Sequence, residues 1–226
     1  MAVVLVSSVS LEDILAKNIF LGSREAQEHT SVKGDFKFGV ATTPVDMVDV
    51  FDIRYRSYKA SGYLNPKYQL ESQLEFDEHD MNAALFYVRN MDSGSLHCTG
   101  RLVFDVNGSL PMDEYYSLDK FRHEIGYYKK NLRLVEFSRL ISHPTGQKQL
   151  NKELVRFIFQ FAVAQGVDYI VGFGRMDIKH YYDKWGFKDI VPYEPIDVRK
   201  LDGPLIPPMK FYPHAMSIHD IRWEAI

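Results

Sequence analysis

Two charged residues, Glu136 and Arg139, interrupt the otherwise apolar stretch 134–141, which is typical of a buried β-strand. A buried charge costs free energy unless it is paired or used in a reaction, so this stretch is the first candidate for chemistry. Burial also raises the pKa of a carboxyl group, which suits a general base working near neutral pH. We therefore expect Glu136 to accept a proton. A purely structural ion pair with a neighbouring arginine, such as Arg101, is the alternative.

The spacing of Glu136 and Arg139 poses a geometric problem. Side chains alternate along a regular strand, so residues three positions apart face opposite sides of the sheet. A β-bulge between them would let both side chains converge, and it would also bend this strand away from its neighbour.

A polar turn at 143–149 follows the strand and leads into a helix predicted over 150–165. Free N–H groups at a helix N-terminus bind phosphate, so this turn is a candidate anion site. Lys148, Lys152 and Arg156 recur every four residues and form a basic stripe along the helix. The stripe is either a docking surface for an acidic partner or an ordinary solvated helix face.

Composition excludes several classes of protein. The 226 residues are 46% hydrophobic and 25% charged, which is typical of a globular protein, and the net charge of −3 argues against nucleic acid as the main partner. The single cysteine, Cys98, allows no intrachain disulfide and is interpreted as a small core residue. The eight histidines lack metal-ligand spacing, so no metal site is expected.

The N-terminal sequence has no basic region ahead of its apolar run, and that run is too short to span a bilayer. We therefore expect a cytoplasmic protein without integral membrane insertion. Residues 1–34 are interpreted as an N-terminal extension and 35–226 as one domain.

Periodicity predicts the elements that position the charged residues. Strands are expected at 36–40, 83–90, 96–105, 132–142, 168–174, 187–193 and 209–217, and helices at 11–19, 44–58, 118–128, 150–165 and 177–185. Antiparallel hairpins come first and a strand–helix–strand–helix unit follows, which indicates a mixed α/β sheet.

The end of the last predicted helix, 181–187 (YYDKWGF), resembles the closing signature of GNAT-fold N-acyltransferases, in which a tyrosine stands four residues before Gly-Phe. Four further segments resemble two groups within that superfamily, the acyl-homoserine-lactone synthases (LuxI type) and the N-acyl amino acid synthases (FeeM type). These segments are 53–58 (IRYRSY), 75–80 (EFDEHD), 100–102 (GRL) and the E-x-S-R motif at 136–139. The resemblance runs from about residue 45 to 190.

This resemblance implies a GNAT fold, with a mostly antiparallel central sheet flanked by helices and two splayed strands at the donor site. The donor's pantetheine arm would lie between those strands, and its phosphate would bind the turn through Thr145, Gly146, Gln147 and Lys148. Because the turn has one glycine where the superfamily has more, the resemblance favours acyl carrier protein over acyl-CoA as donor. The basic stripe would then dock the carrier protein, and no permanently bound cofactor is expected.

The resemblance also implies roles for individual residues. The acceptor pocket would be formed by Arg54, Asp77, Asp80, Arg101 and Arg139, although these residues can equally form an ion-pair network that pins an irregular loop. Ser138 would position the thioester or satisfy a strand neighbour. Tyr182 would protonate the leaving thiolate, or serve only as a core aromatic residue.

The leading hypothesis is an N-acyltransferase that moves a fatty acyl group from acyl carrier protein, or from acyl-CoA, to a small amine such as an amino acid. An acyl-homoserine-lactone synthase using S-adenosylmethionine is the first alternative. A non-catalytic GNAT-like module that binds a carrier protein or a lipid is the second.

Overall fold

The computed structural model describes residues 9–62, 72–106, 108–142, 148–197 and 210–226, with Lys148 described by its backbone alone. Within these ranges one mixed sheet has the order β1-β2-β3-β4-β5-β6-β9-β7, and β8 also pairs with β9. The strands are β1 (Ser31–Lys33), β2 (Phe36–Val40), β3 (Ala83–Asn90), β4 (Leu96–Phe104), β5 (Leu134–Ser142), β6 (Tyr169–Arg175), β7 (Lys188–Asp189), β8 (Ile196–Asp197) and β9 (Lys210–Ser217). Strands β5 and β6 run parallel, and the other described pairs are antiparallel.

The helices begin and end where the sequence provides caps. They are α1 (Leu11–Lys17), α2 (Arg24–Glu28), α3 (Pro44–Ala60), α4 (Asp119–Ile125), α5 (Tyr127–Lys130), α6 (Lys148–Ala164) and α7 (Lys179–Trp185). Ser10 caps α1 and Thr43 caps α3 by accepting a backbone hydrogen bond, and Gly186 ends α7 at a φ of 113°. Among the described residues, no helix has the length and apolarity that crossing a bilayer requires.

Two predicted elements are shorter than expected. The helix predicted over 118–128 is divided into α4 and α5 at Gly126, which adopts a left-handed conformation with a φ of 76°. The strand predicted over 187–193 is reduced to the two residues of β7. Pro192 has no N–H group to donate to a ladder, which disfavours a longer strand there.

Helices cover both faces of the sheet, and each face has its own apolar cluster. Helices α6 and α7 pack on one face, where Leu154, Ile158 and Phe161 are buried against β3, β4 and β5. Helix α3 packs on the other face, together with the 3-10 helix Pro111–Glu114 and α4. We call these the α6 face and the α3 face.

The parallel ladder between β5 and β6 ends before either strand does. Its last rung joins Phe137 to Gly172, whereas β5 continues to pair with β4 as far as Ser142, and β6 continues to pair with β9 as far as Arg175. The two parallel strands therefore diverge beyond this rung, as the expected splay requires.

A β-bulge lies in β5 just beyond the last rung. The register with β4 shifts between the pairs Thr99–Ile141 and Arg101–Ser138, and Arg139 adopts a φ of 55°, which is left-handed. The bulge that the spacing of the two charged residues required is therefore present.

Residues 9–34, which the sequence suggested as part of an extension, pack against the rest of the chain. Ile14 is fully buried in the cluster on the α3 face, and Phe20 and Ala26 are buried in the cluster on the α6 face. Strand β1 pairs with β2 and lengthens the sheet by one strand. A domain boundary at residue 34 stays a prediction.

Candidate active site

Glu136 lies on the α3 face of β5, one residue before the last rung of the parallel ladder, and is 2% exposed. The backbone N–H of Met112 donates a hydrogen bond to its Oε2 atom with an N…O distance of 2.7 Å. Burial raises the pKa of Glu136 to about 7, although the Met112 hydrogen bond and the charges of Arg101, His79 and Arg139 oppose this shift. A carboxyl group with this pKa exchanges a proton readily at neutral pH, as a general base must.

The segment that carries Met112 is held in place by the fully buried guanidinium of Arg122. Its Nε atom donates to Asp105 at 2.9 Å, and Nη1 and Nη2 donate to the two oxygens of Asp113 at 2.8 and 2.6 Å. Such bidentate pairs fix direction as well as distance. Because Asp113 lies in the 3-10 helix Pro111–Glu114, this clamp aims the Met112 N–H at Glu136.

Next to Glu136, three arginines and three carboxylates form one cluster, which is largely buried and which we call the arginine–carboxylate cluster. Its members are Arg54, Arg101, Arg139, Glu75, Asp77 and Asp80. Arg54 donates to Glu75 at 2.6 Å and to both oxygens of Asp80 at 3.0 and 3.3 Å. The charges balance within the cluster, which offsets part of the desolvation cost of burying them.

Arg101 and Arg139 complete the cluster from the sheet. Arg101 donates to Asp77 at 2.7 Å and to Asp80 at 3.0 Å, and Arg139 reaches Asp77 at 2.9 Å. Burial alone would raise the pKa of Asp77, but Arg101 and Arg139 hold it well below its ordinary value. The five residues suggested for the acceptor pocket are thus brought together. Arg101 pairs with Asp77 and Asp80, and Glu136 instead accepts a hydrogen bond from the backbone N–H of Met112.

Four separate parts of the chain supply the cluster. Arg54 comes from the middle of α3, and Arg101 and Arg139 come from neighbouring strands. The carboxylates come from the segment that leads into the 3-10 helix Glu78–Asn82, in which Asp77 and Asp80 form a reciprocal capping box. The cluster therefore fastens an irregular segment to both the helix and the sheet.

Arg139 differs from the other two arginines in its exposure. Its side chain is 30% exposed, compared with 0% for Arg54 and 1% for Arg101. Its Nε atom is buried without a hydrogen-bond partner among the described residues, and its guanidinium lies 5.6 Å from the ring centroid of Tyr58. Arg139 is thus the arginine of the cluster that a ligand can reach.

Ser138 and Tyr182 lie in different surroundings. Ser138 is half-buried on the α3 face and accepts a hydrogen bond from Arg101 Nε at 3.2 Å. Tyr182 belongs to the cluster on the α6 face, and burial raises its pKa to about 12. The structure therefore brings Ser138 beside Glu136 and places Tyr182 on the opposite side of the sheet.

Only part of the expected donor site lies in the described ranges. Thr145, Gly146, Gln147 and the side chain of Lys148 fall outside them. Lys152 is exposed on α6. Arg156, the last residue of the basic stripe, donates to the backbone carbonyls of Trp223 at 3.0 Å and Ile226 at 3.1 Å, so it holds the C-terminal segment against α6.

One group of possible metal ligands occurs among the described residues. Glu78, His79 and Glu114 place one ligand-type atom each within 4.8 Å of one another. His79 already bonds to Glu114 at 3.1 Å, and both glutamates are exposed, so the arrangement is that of a surface ion pair.

Sequence reasoning missed Glu75 and the Met112 N–H. Glu75 could have been found, because it belongs to the same acidic segment as Asp77 and Asp80. No sequence pattern marks the N–H of Met112, because its role depends on how the chain folds between β4 and β5.

Comparisons with known proteins identify the family and the fold. A family model described as N-acyl amino acid synthase FeeM matches residues 49–205, which is more than half of the chain. A search of curated proteins found no significant match.

Three solved structures illustrate the fold. FeeM, an N-acyl amino acid synthase from uncultured soil microbes, has a TM-score of 0.61 and 15% identity, covering 84% of this chain and 93% of that chain. MesI, a CoA-dependent acyl-homoserine lactone synthase, has a TM-score of 0.53 and 15% identity, covering 77% and 82%. An N-acetyltransferase from Lactobacillus plantarum has a TM-score of 0.51 and 10% identity, covering 81% and 98%.

These structural likenesses show the GNAT-type acyltransferase fold that the sequence predicted. The family match goes further, because it spans the arginine–carboxylate cluster, Glu136 and both diverging strands. The chain belongs to the FeeM family of N-acyl amino acid synthases and is an N-acyltransferase.

Proposed function

We propose that this N-acyltransferase transfers a fatty acyl group from acyl carrier protein, with acyl-CoA as the second choice of donor, to the amino group of an amino acid. The observation that carries the proposal is Glu136, a buried carboxyl group with a pKa of about 7 next to the point where β5 and β6 diverge. An amino group is protonated at neutral pH and must lose a proton before it attacks a thioester. Glu136 is suited to take that proton.

The reaction would be a direct transfer. Glu136 accepts a proton from the ammonium group, and the freed nitrogen attacks the carbonyl carbon of the thioester. The C–N bond forms, the C–S bond breaks, and the sulfur leaves with the bonding electron pair. The nitrogen gives up its second proton and the sulfur takes up one, so the products are an amide and a free thiol. Beyond the last rung of the ladder, backbone N–H groups of β5 that face β6 have no ladder partner, and they would polarise the thioester oxygen.

Arg139 would bind the carboxylate of the acceptor. The other two arginines of the arginine–carboxylate cluster are fully buried by their own partners, whereas Arg139 is 30% exposed. A guanidinium binds a carboxylate with two parallel hydrogen bonds, which also fixes the orientation of the acceptor. Asp77, Asp80, Arg54 and Arg101 would hold Arg139 and the covering segment in place rather than touch the acceptor.

The donor would enter between the diverging strands, with its phosphate near the N-terminus of α6. Ser138 would lie beside the thioester, and Tyr182 would approach the sulfur from the α6 face. Thr145, Gly146, Gln147, Lys148 and Lys152 would meet the phosphate and the carrier protein, with Arg156 contributing through the C-terminal segment that it holds.

The test is a matched incubation of the purified protein with acyl carrier protein thioesters and with acyl-CoA of the same chain lengths. Each donor is combined with a panel of amino acids and with S-adenosylmethionine, and products are identified by mass spectrometry. We expect N-acyl amino acids, and we expect Glu136→Gln to lower kcat/KM by about a hundredfold or more.

Three outcomes would contradict parts of the proposal. Formation of an acyl-homoserine lactone from S-adenosylmethionine would show that the acceptor is S-adenosylmethionine and not an amino acid. A faster reaction with acyl-CoA than with the carrier protein thioester would show that acyl-CoA is the preferred donor. Full activity of Glu136→Gln would exclude Glu136 as the base, with Glu124→Gln, an exposed glutamate on α4, as the control.

A further inference from the structure

His214 on β9 is a buried histidine for which the reaction proposed above has no role. It is 1% exposed, and neither Nδ1 nor Nε2 has a hydrogen-bond partner within the described ranges. The hydroxyl of Tyr212, two residues earlier on the same strand, is also buried without a partner there. Buried polar atoms of native proteins are rarely left unpaired, so three in one place call for a functional explanation.

The ring of His214 lies over the end of the parallel ladder. His214 is the antiparallel partner of Gly172, and Gly172 forms the last rung with Phe137. A Cβ atom on Gly172 would lie 2.4 Å from His214 Nε2, and one on Gly174 would lie 2.7 Å from its Cε1. The two glycines therefore make room for the imidazole where β5 and β6 begin to diverge.

This position is on the α6 face, opposite Glu136. The rings of His214 and Tyr182 lie 4.4 Å apart, and those of His214 and Tyr212 lie 4.9 Å apart. Amine and base meet on the α3 face, so a group that touches His214 through the gap between the strands belongs to the acyl donor.

The side chains of His214 and Tyr212 are both uncharged. The nearest cation, Lys179, lies 5.0 Å from the Tyr212 ring centroid and is itself paired with Asp183 and Asp189 at 2.7 Å. Burial lowers the pKa of His214 to about 3, and the nearby backbone of Tyr212 offsets this only in part, so the ring is uncharged at neutral pH. Burial likewise raises the pKa of Tyr212, which keeps its hydroxyl protonated. A neutral imidazole offers one N–H donor and one acceptor nitrogen, and a hydroxyl can do both.

The uncharged side chains of His214 and Tyr212 restrict the kind of ligand group that can bind between them. A charged group buried among neutral partners would lack a counter-charge, which is unfavourable. A secondary amide is uncharged and offers one donor and one acceptor, so one end of it can bond a ring nitrogen of His214 and the other end the hydroxyl of Tyr212. Thioester donors built on a pantetheine arm carry such an amide, separated from the sulfur by a short ethylene link.

We propose that His214, assisted by Tyr212, binds the amide nearest the thioester sulfur of the acyl donor and so positions the carbonyl carbon in the gap between β5 and β6. This assignment rests on the proposed function, since it takes the donor to be a pantetheine thioester. It makes His214 a determinant of donor specificity on the face opposite Glu136.

The test compares two donors that carry the same acyl group. An acyl-N-acetylcysteamine thioester keeps the amide next to the sulfur, and an acyl-ethanethiol thioester lacks it. We expect His214→Phe to lower kcat/KM for the first by about tenfold to a hundredfold and to leave the second nearly unchanged. His214→Gln, which retains a donor and an acceptor, should recover part of the loss, and His180→Phe, an exposed histidine on α7, is the control.

A second measurement does not depend on turnover. Free N-acetylcysteamine is titrated into protein carrying ¹⁵N-labelled histidine, and the His214 ring signals are assigned from their loss in His214→Phe. A saturable change of both ring nitrogens supports the amide site even if no amine is acylated, in which case only the proposed function fails. Equal loss of activity with both thioesters, or unchanged ring signals at saturating ligand, would overturn the assignment.

Discussion

At the end of the β5–β6 ladder, the buried polar groups on the two faces of the sheet differ in charge and in hydrogen bonding. On the α3 face, three arginines and three carboxylates are paired with one another. On the α6 face, the side chains of His214 and Tyr212 are uncharged, and their polar atoms have no hydrogen-bond partner within the described residues. A buried charge costs far more than a buried neutral dipole, so the charged face has to be satisfied internally.

The difference suggests that the two faces contribute to catalysis in different ways. The charges of the arginine–carboxylate cluster are paired before any substrate binds, and Glu136 is left as a carboxyl group with a pKa in the neutral range. The neutral face keeps unused hydrogen-bonding capacity that an uncharged ligand can satisfy. The predictions below test this contrast.

Removing an arginine from the arginine–carboxylate cluster should have the largest effect on the free energy of unfolding. Arg54→Met leaves the fully buried Asp80 with Arg101 as its one remaining cation, and removing one member of a buried ion pair costs about 3–5 kcal/mol in the free energy of unfolding. Urea denaturation measures this loss. Arg56→Met, two residues along α3 in an exposed pair with Asp52, should change the free energy of unfolding by less than about 1 kcal/mol. Similar losses in both variants would mean that the cluster is not buried in solution.

The raised pKa of Glu136 should appear in the pH dependence of stability. Because the folded-state pKa is about 7 and the ordinary value 4.5, the unfolded chain loses this proton first as the pH rises. Glu136 therefore contributes no penalty below pH 4.5, and the penalty grows between pH 4.5 and 7 to about 3 kcal/mol at most. Glu136→Gln should be increasingly stabilised relative to the wild type across that window.

Urea denaturation at a series of pH values gives this difference directly. Glu124→Gln, which changes an exposed glutamate, should show no such trend. A difference between wild type and Glu136→Gln that stays constant from pH 5 to 8 would mean that the folded-state pKa is ordinary.

On the neutral face, Gly172→Ala should destabilise the protein by about 1–3 kcal/mol, because the new methyl group collides with the His214 ring. Gly100→Ala is the matched control, since the nearest atom to its Cβ is the terminal methyl of the Ile158 side chain at 2.7 Å, which can rotate aside more easily than a ring can. In a His214→Ala background the cost of Gly172→Ala should largely disappear. An unchanged cost in the double-mutant cycle would show that the ring does not occupy this position.

The smallest effect is expected outside the core of the α6 face, where Arg156 donates to main-chain oxygens of Trp223 and Ile226. Arg156→Gln should reduce the free energy of unfolding by about 1 kcal/mol, the usual contribution of such bonds. Lys152→Gln, one turn earlier and exposed, should have little effect in the same thermal or urea measurement. Equal effects would contradict the anchoring role of Arg156.

Much of this architecture was predictable from local patterns. Alternation and helical spacing predicted β2, α3, the β3–β4 hairpin, β5, α6 and β6 with nearly the observed bounds. The spacing of the two charges in β5 showed that a bulge would be needed for their side chains to converge, and the strand contains one.

Other features depend on contacts between distant parts of the chain. The position of Tyr182 opposite Glu136 follows from which face of the sheet α7 covers, and periodicity does not reveal that choice. The same holds for His214, since a histidine in a strand is equally compatible with a paired or an unpaired ring.

By itself, the sequence determined the elements, the family resemblance and the supply of charged residues, because these depend on residue types and short spacings. Only the tertiary structure decided that Arg101 pairs with Asp77 and Asp80 and that Glu136 accepts a hydrogen bond from the Met112 N–H. The physical reason is that desolvation and hydrogen bonding act through space. The pKa of Glu136 and the unpaired nitrogens of His214 therefore exist only once the sheet, α3 and the 105–122 segment have packed together.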